Sequence, residues 1–251
     1  MDEKSALKIA IVGYGSMGRE VEKIAREQGL IITDVFDINN LLDENSDYDF
    51  DVAIDFSIPS TVENNIRLLS SLGKNVVLGT TGWSNIKGSI FDLANKGNIG
   101  LVHSSNFSIG MQMFFNIVSN ASALIDRFDN YDIMVHEMHH KRKIDSPSGT
   151  ALQLGNIILK NVDRKKRIEE ETSRGKIEPD SLHISSTRGG EITGMHTVYI
   201  DSLFDTIELT HRAKNRSGFA LGAISAARWI NGKSGVYDFQ DVLLSLWNSN
   251  A

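Results

Sequence analysis

The chain has 251 residues, 41% hydrophobic and 23% charged, a composition that suits one large or two modest domains with buried cores. It contains no cysteine, which excludes disulfides, thiolate catalysis and thiolate-bound zinc. The net charge of -6 disfavours a nucleic-acid binder, and no apolar run approaches the roughly 20 residues of a membrane helix. Because the start lacks the basic and apolar pattern of a signal peptide, we expect a cytoplasmic protein without nucleic-acid or membrane partners.

The first predicted elements are a strand, a glycine loop and a helix. An apolar run at 7–12 precedes the loop, and apolar residues then recur at helical spacing until Gly29. The loop reads Gly13-Tyr14-Gly15-Ser16-Met17-Gly18. A second predicted strand, 31–37, ends at Asp37. Such glycines allow a tight turn, approach of a pyrophosphate and close helix packing, while the acid accepts the ribose hydroxyls. We therefore predict dinucleotide binding here.

Acidic residues dominate the region where NADP would place its 2′-phosphate. No Lys or Arg occurs between Arg26 and Arg67, and the stretch 34–51 holds seven Asp and Glu residues. Sites that prefer NADP usually offer a cation near the end of the second strand. We therefore predict NADH as the preferred cofactor, with NADPH as the alternative.

The remainder of the first domain alternates strands with helices. Strands are predicted at 52–56, 75–78 and 99–103, with helices after the capping box at Ser60 and from about Ile86. This alternation predicts a Rossmann-type doubly wound parallel sheet. Ligands of such sheets bind beyond the carboxyl ends of the strands. The residues at those ends are Asp55, Phe56, Ser57, Gly79, Thr80, Thr81, Ser104, Ser105, Asn106 and Phe107.

After a helix at 108–125 that is apolar nearly all round, Glu137 to Ala151 concentrates histidines, cations and a predicted helix start. Ser146 or Ser148 can cap the helix, and Gly149 lets a ligand approach its unpaired N–H groups. Lys143 adds a mobile charge. This pattern suits a carboxylate or phosphate; from the pattern alone, a capped helix after a basic loop is an equal alternative.

The same letters contain His136-Glu137-Met138-His139-His140, which matches the H-E-x-x-H motif of zinc proteases. That motif requires a helix, but residues 131–136 alternate with the period of a strand, in which the outer histidines would stand about 13 Å apart. The three cations at 141–143 would also repel a metal ion. We therefore favour an anion site and expect no metal.

The last third of the chain predicts a second α+β domain. The charge runs at 164–167 and 169–171 indicate a solvated helix end and loop. Alternation of apolar and polar residues at 182–188, 194–200 and 204–211 predicts a largely antiparallel open sheet, of the kind that commonly builds oligomer interfaces. A final Ala- and Gly-rich helix is predicted from Ser217.

Several segments together resemble the dihydrodipicolinate reductases, also called 4-hydroxy-tetrahydrodipicolinate reductases. They are the glycine loop, Gly79-Thr80-Thr81-Gly82, Asn106-Phe107-Ser108-Ile109-Gly110 and Glu137 to Ala151, with Arg188-Gly189, Gly194-x-His196, Thr210-His211 and Phe219-Ala220. The resemblance covers nearly the whole chain. It implies reduction of 4-hydroxy-tetrahydrodipicolinate, a small dicarboxylate, to tetrahydrodipicolinate by hydride transfer from NAD(P)H, in lysine and diaminopimelate biosynthesis.

The resemblance also implies residue roles. His139 matches the acid–base histidine and Lys143 the proton-donating lysine. The substrate-carboxylate contacts are His140, Gly149 and Thr150, with Ser148 in the same nest. The cofactor contacts are Gly13, Tyr14, Gly15, Ser16, Met17, Gly18, Asp37, Gly79, Thr80, Thr81, Ser104, Ser105, Asn106 and Phe107. Residues 1–105 and 217–251 would form the dinucleotide-binding domain and 106–216 the substrate-binding and oligomerisation domain, in a homotetramer. Arg216 and His196 are additional charges expected near the substrate.

Two departures from the pattern of this family concern the cofactor. The glycine loop is one residue shorter than the commoner family form, and Ile38 stands where a basic residue often follows the ribose-binding acid. The NADH prediction therefore depends on the acidic stretch. Two alternatives are a related dehydrogenase acting on another amino or keto dicarboxylate, and a regulatory protein that senses the dinucleotide without turnover. The co-occurrence of His139, Lys143 and the helix start in one loop favours catalysis.

Overall fold

The structure is a computed structural model that describes residues 6–170 and 174–248, and these form two compact units. Unit 1 comprises the described residues within Met1–Ile109 and Arg216–Ala251, and unit 2 comprises those within Gly110–Asn215. Residues 106–109, placed in the second domain from the sequence, therefore lie in unit 1, as does Arg216. The first five residues, which belong to the start examined for a signal peptide, lie outside the described residues. Glu171 of the second charge run lies outside them as well.

Regular elements account for most of both units. The strands are β1 (Lys8–Val12), β2 (Ile31–Phe36), β3 (Val52–Asp55), β4 (Asn75–Leu78), β5 (Gly100–His103), β6 (Asp132–His139), β7 (Arg167–Glu169), β8 (Ser181–Arg188), β9 (Met195–Asp201), β10 (Thr206–Arg212) and β11 (Gly235–Asp238). The helices are α1 (Ser16–Glu27), α2 (Val62–Ser71), α3 (Lys87–Lys96), α4 (Ile109–Ile125), α5 (Gly149–Asn161), α6 (Ser217–Ile230) and α7 (Phe239–Asn248).

Unit 1 contains a six-stranded sheet of parallel strands in the order β11-β5-β4-β3-β1-β2. Both faces are covered, because alternate residues of one strand enter different cores. Ile9 and Ile11 pack with α1, α6 and α7, whereas Ala10 and Val12 pack with α2 and α3. The predicted doubly wound Rossmann-type sheet is confirmed. The strand order reverses beside β1, the place where such sheets bind ligands.

Unit 2 contains a five-stranded sheet in the order β10-β9-β6-β8-β7. The β10–β9 and β9–β6 pairs are antiparallel, whereas β6–β8 and β8–β7 are parallel. The sheet is therefore mixed, and β8 does not pair with β9 as consecutive antiparallel strands would. Alternation in the sequence predicts that a segment is a strand, but it does not reveal the partner or direction of pairing.

Helices α4 and α5 cover one face of the unit 2 sheet and form its core. Strand β7 lies where the sequence predicted a loop, and its Ile168 packs against that core. On α4, Phe114 and Phe115 are buried, whereas Ile117 and Leu124 are 50% and 62% exposed. Among the helices of residues 6–170 and 174–248, none combines the length and apolar character of a membrane span.

Candidate active site

Strand β6 places two functional groups on one face of the unit 2 sheet. Burial alternates along it, so that Glu137 and His139 share the buried face with Ile133 and Val135. His136 lies on the opposite face, with Nδ1 2.8 Å from the Ser185 hydroxyl. The strand geometry excludes the helical zinc-protease motif, as predicted from the sequence period.

Glu137 is fully buried and accepts hydrogen bonds at both carboxylate oxygens. Its Oε2 contacts Nδ1 of His139, while its Oε1 accepts from Arg188 Nη2 at 2.7 Å and from the backbone N–H of Ser148 at 3.2 Å. Burial acts to raise the pKa of this carboxyl group, but the hydrogen bonds from His139 and Arg188 outweigh it and lower the pKa to about 2. Glu137 is therefore a carboxylate at neutral pH.

His139 is held from two sides. Because a carboxylate only accepts hydrogen bonds, Nδ1–H of His139 is the donor to Glu137, which leaves Nε2 as the position for proton transfer. Gly194 lies against the ring: a Cβ atom added at Gly194 would stand 3.0 Å from Nε2. The ring also meets His196 edge-on, with centroids 5.2 Å apart.

His196 is a buried neutral histidine beside this pair. Burial lowers its pKa to about 3, aided by the charges of His139, His211 and Lys143 and opposed by that of Glu137. Its Nε2 lies 3.2 Å from the Ser148 hydroxyl. Because this imidazole stays uncharged at neutral pH, it contributes hydrogen bonding and packing rather than the positive charge expected from the sequence.

The start of α5 supplies backbone donors. Of the two serines that were predicted to cap it, Ser148 is the N-cap, and its hydroxyl accepts from the Ala151 N–H at 3.2 Å. The Ser148 side chain is therefore already engaged in the cap and with His196, and it is 2% exposed. Gly149 is exposed, with no atom within 4 Å of an added Cβ, so a ligand can approach the backbone there; Thr150 follows in the same turn.

Lys143 already binds a carboxylate in this structure. Its Nζ lies 2.8 Å from Oδ1 of Asp145, and the same carboxylate accepts the backbone N–H of Gly149. Burial opposes ionisation of Asp145, but Lys143 and the backbone donors of Asp145 and Gly149 lower its pKa. The side chain of Lys143 and the first N–H of α5 thus converge on one carboxylate position. His140 begins the loop, and its N–H donates to the Ile192 carbonyl at 2.7 Å.

The glycine loop of unit 1 has the geometry that its spacing predicts. Gly13 has a φ of +87°, and a Cβ there would meet the Phe56 carbonyl at 2.6 Å. A Cβ at Gly18 would lie 2.2 Å from the Gly13 oxygen, whereas Gly15 has open space. No side chain caps α1, which begins at Ser16 and Met17. The first glycine therefore makes the turn, the second admits a ligand to the helix start and the third permits close packing.

Asp37 lies directly beyond β2 and is held by its own loop. Its Oδ1 accepts the backbone N–H groups of Asn39 at 2.8 Å and Asn40 at 3.1 Å. Tyr14 extends back over the first helix, where its hydroxyl donates to Glu22. The carboxylate of Asp37 is thus held at the end of β2, where an acid contacts the ribose in dinucleotide sites.

The other predicted cofactor residues follow β4 and β5 at the same edge of the sheet, since all these strands are parallel. Several of their side chains serve the fold. Thr80 donates to Asp55 at 3.0 Å, the Ser104 hydroxyl accepts from the Asn106 N–H at 3.1 Å, and the Phe107 ring packs in the core. A Cβ on Gly79 would stand 2.2 Å from the Phe56 ring. Thr81 and Ser105 are exposed.

Models of one protein family match both parts of this chain. Family models described as "Dihydrodipicolinate reductase, N-terminus" and "Dihydrodipicolinate reductase, C-terminus" match residues 7–107 and 110–243. A protein from Christiangramia forsetii named 4-hydroxy-tetrahydrodipicolinate reductase is 34% identical, over 97% of this chain and 100% of its own length. A protein of the same name from Archaeoglobus fulgidus is 37% identical, over 94% of this chain and 100% of its own length.

The chain belongs to the dihydrodipicolinate reductase family. The predictions of this family and of an oxidoreductase are thereby confirmed. The fold of a solved dihydrodipicolinate reductase from Paenisporosarcina sp. TG-14, described as dipicolinate bound, is similar with a TM-score of 0.72 and 23% identity, covering 94% of this chain and 99% of that one.

Within this reductase fold, unit 2 brings together most of the predicted catalytic and substrate residues, while the predicted cofactor residues lie in unit 1. No role for Glu137 or Arg188 was predicted from the sequence. The strand period carried a signal for Glu137, which lies two residues before His139 on the same face. Arg188 had no local signal, because only the β6–β8 register makes it the neighbour of His139.

Glu137, His139 and His196 also offer donor atoms that lie within 4.8 Å of one another, a spacing compatible with a metal ion. However, the carboxylate of Glu137 is already bound by His139 and by the guanidinium of Arg188. A positive side chain bound to the carboxylate disfavours a second cation there. The absence of a metal stays a prediction.

Proposed function

We propose that the chain reduces 4-hydroxy-tetrahydrodipicolinate to tetrahydrodipicolinate with a hydride from NAD(P)H, as a step of lysine and diaminopimelate biosynthesis, with His139 and Lys143 as its proton-transfer groups. The observation that carries the proposal is one stretch of chain, from the end of β6 to α5, that combines His139, Lys143 and the exposed start of α5. The names of the two relatives support the substrate assignment.

Binding of the substrate is assigned to the start of α5 and its neighbours. A dicarboxylate needs fixed donors, and Gly149 exposes backbone that a ligand can approach. Asp145 demonstrates that Gly149 N–H and Lys143 can share one carboxylate. We infer that a substrate carboxylate replaces Asp145 on these donors, with His140 and Thr150 beside it.

The chemistry requires proton transfer close to the bound substrate. Net reduction adds a hydride and a proton and releases water, and addition of the hydride to the conjugated imine builds negative charge. Lys143 can donate a proton and stabilise that charge. His139, with Nδ1 committed to Glu137, can exchange a proton at Nε2.

NAD(P)H supplies the hydride when bound, and unit 1 offers residues that fit it. The open space at Gly15 and the uncapped start of α1 suit a pyrophosphate, and Asp37 suits ribose hydroxyls.

We propose that NADH is preferred, because the interval between Arg26 and Arg67 holds no cation for a 2′-phosphate. The kcat/KM ratio for the two cofactors measures this. Asp37→Ser is expected to lower kcat/KM for NADH about 10-fold, whereas Asp47→Ser, at an exposed acid of the same stretch, serves as the matched control.

A homotetramer in the cytoplasm stays a prediction. Large apolar side chains lie exposed on α4 and β10, among them Met113, Ile117 and Ile207. Such side chains suit contact with another subunit. Light scattering would give the mass of the assembly, and a monomer would refute the tetramer.

The reaction is tested by following NADH and NADPH oxidation at 340 nm, with substrate generated by a synthase from pyruvate and aspartate semialdehyde. Oxidation that depends on the synthase supports the proposal.

His139→Gln and Lys143→Ala are expected to lower turnover by about 100-fold or more without changing dinucleotide affinity. Lys141→Ala is the control, since that lysine is an exposed neighbour in the same loop. Full activity in both variants would refute the assigned roles. Dinucleotide binding without oxidation by folded protein would favour the sensor or another substrate.

A further inference from the structure

We propose that Glu137 is the positioning residue of His139, and that Arg188 and the start of α5 hold Glu137 in place for this task. The inference rests on the proposed function, because it takes His139 as the acid–base group. It assigns a role to Glu137 and Arg188, neither of which is among the residues predicted from the sequence to act in the reaction.

The Glu137 carboxylate is held in one orientation by its surroundings. Glu137 and His139 are two residues apart on β6, so the strand period directs both side chains to the same face. Glu137 is 0% exposed, and burying a carboxylate is costly unless hydrogen bonds compensate. Its Oε2 is used by His139, and its Oε1 by Arg188 and the Ser148 N–H. The carboxylate therefore has little freedom to turn away from the imidazole.

Arg188 joins the segments that form the site. Its Nη2 donates to Glu137 at 2.7 Å and to the Asp145 carbonyl at 2.6 Å, and its Nη1 donates to the Thr187 carbonyl at 3.0 Å. The guanidinium thus links β6, the end of β8 and the loop that precedes α5. Because Ser148 N–H also binds Glu137, the orientation of His139 is coupled to the helix start that is proposed to bind substrate.

Glu137 also acts on the imidazole of His139 itself. A carboxylate at Nδ1 selects the tautomer with Nδ1–H, so that Nε2 carries the lone pair, and it stabilises the imidazolium once Nε2 takes a proton. The low pKa of Glu137, about 2, keeps the carboxylate ionised throughout the working pH range. The other ionisable groups around this pair are Arg188 on β8, His196 on β9 and Lys143 in the loop. Of these, His196 is neutral, because its own pKa is lowered to about 3.

The tautomer is the first test, and it needs no turnover. Protein labelled with 15N-histidine is examined by long-range 1H–15N NMR, and the His139 signals are identified by their loss in His139→Gln. We expect Nδ1 protonated and Nε2 unprotonated in the wild type, and a mixture of tautomers in Glu137→Gln. An Nε2–H tautomer in the wild type, or identical His139 signals in Glu137→Gln, would overturn the inference even if the reductase assay succeeds.

Kinetics form the second test. Glu137→Gln is expected to lower kcat by about 100-fold or more, with dinucleotide affinity unchanged and KM for substrate altered less than kcat. Glu137→Asp should recover part of the rate, and Glu178→Gln, which removes an exposed carboxylate of unit 2, should behave as wild type.

A double variant separates this inference from the proposed function. If Glu137 acts through His139, adding Glu137→Gln to His139→Gln should cause little further loss, whereas independent roles would give losses that multiply. An inactive wild type would refute the proposed function and leave the NMR test to decide the positioning role. If Glu137→Gln does not fold, Arg188→Lys replaces it: a partial loss of kcat and of tautomer preference is expected, and unchanged values would contradict the proposal.

Discussion

Gly194→Ala tests whether the position of the His139 ring limits the rate. The new Cβ would lie 3.0 Å from Nε2 and 3.3 Å from Cδ2 of His139, whereas carbon atoms in good contact are about 3.5 Å apart. The imidazole cannot simply rotate away, because Nδ1 is bound to Glu137. We therefore expect the ring to shift by roughly 0.5 Å.

The size of the effect follows from that displacement. A misplacement of about 1 Å in an active site can cost about 100-fold in rate, so half that distance corresponds to about 10-fold, or about 1.4 kcal/mol of activation free energy. Folding should be little affected. Gly194 does not have a positive φ, and an alanine that fits the backbone lowers the entropy of the unfolded chain, which is worth about 0.4–1 kcal/mol.

The assay combines kcat from the synthase-coupled reaction with thermal unfolding of the same samples. Gly189→Ala is the matched control: Gly189 lies near the site, but no atom is within 4 Å of its added Cβ. Its backbone N–H, which donates to the His139 carbonyl at 3.0 Å, is retained. We expect about wild-type turnover in this control. Equal kcat in Gly194→Ala and wild type, or an equal loss in both variants, would refute the reasoning.

Two further predictions concern stability. The pKa of His196 is about 3 when folded against 6.5 ordinarily, so below pH 6.5 the unfolded chain binds a proton that the native chain does not. The free energy of unfolding should therefore fall as pH decreases from 6.5 towards 3, by about 2–3 kcal/mol at pH 4.5. Urea unfolding at each pH measures this decline. If the whole decline persists in His196→Asn, its assignment to His196 is contradicted. In unit 1, Gly222→Ala would place a Cβ 1.8 Å from the Phe107 carbonyl oxygen and should destabilise by about 2 kcal/mol or more. Gly88→Ala, with open space on α3, should not lower the melting temperature, and equal melting temperatures for these two variants would refute the packing argument.

The sequence alone was sufficient to predict the features that depend on residues close together in the chain. The glycine loop, its helix and Asp37 follow one another within one strand–helix–strand unit, so spacing predicted their arrangement. The period of β6 predicted a strand and thereby excluded the zinc motif. The start of α5 is likewise a local structure: the sequence predicted a cap at Ser146 or Ser148, and the structure selects Ser148, whose hydroxyl binds an N–H three residues later.

The tertiary structure alone decided which distant groups meet at His139. Arg188 is opposite His139 because of the β6–β8 register, and His196 is opposite Glu137 because of the β6–β9 register. The order and direction of these strands also made the sheet mixed. Burial lowered the pKa of His196, whereas hydrogen bonds from His139 and Arg188 lowered the pKa of Glu137 against the effect of burial. Register depends on how whole strands pack, and a slip of one residue would reverse every side chain, so no local pattern in the chain could reveal these neighbours.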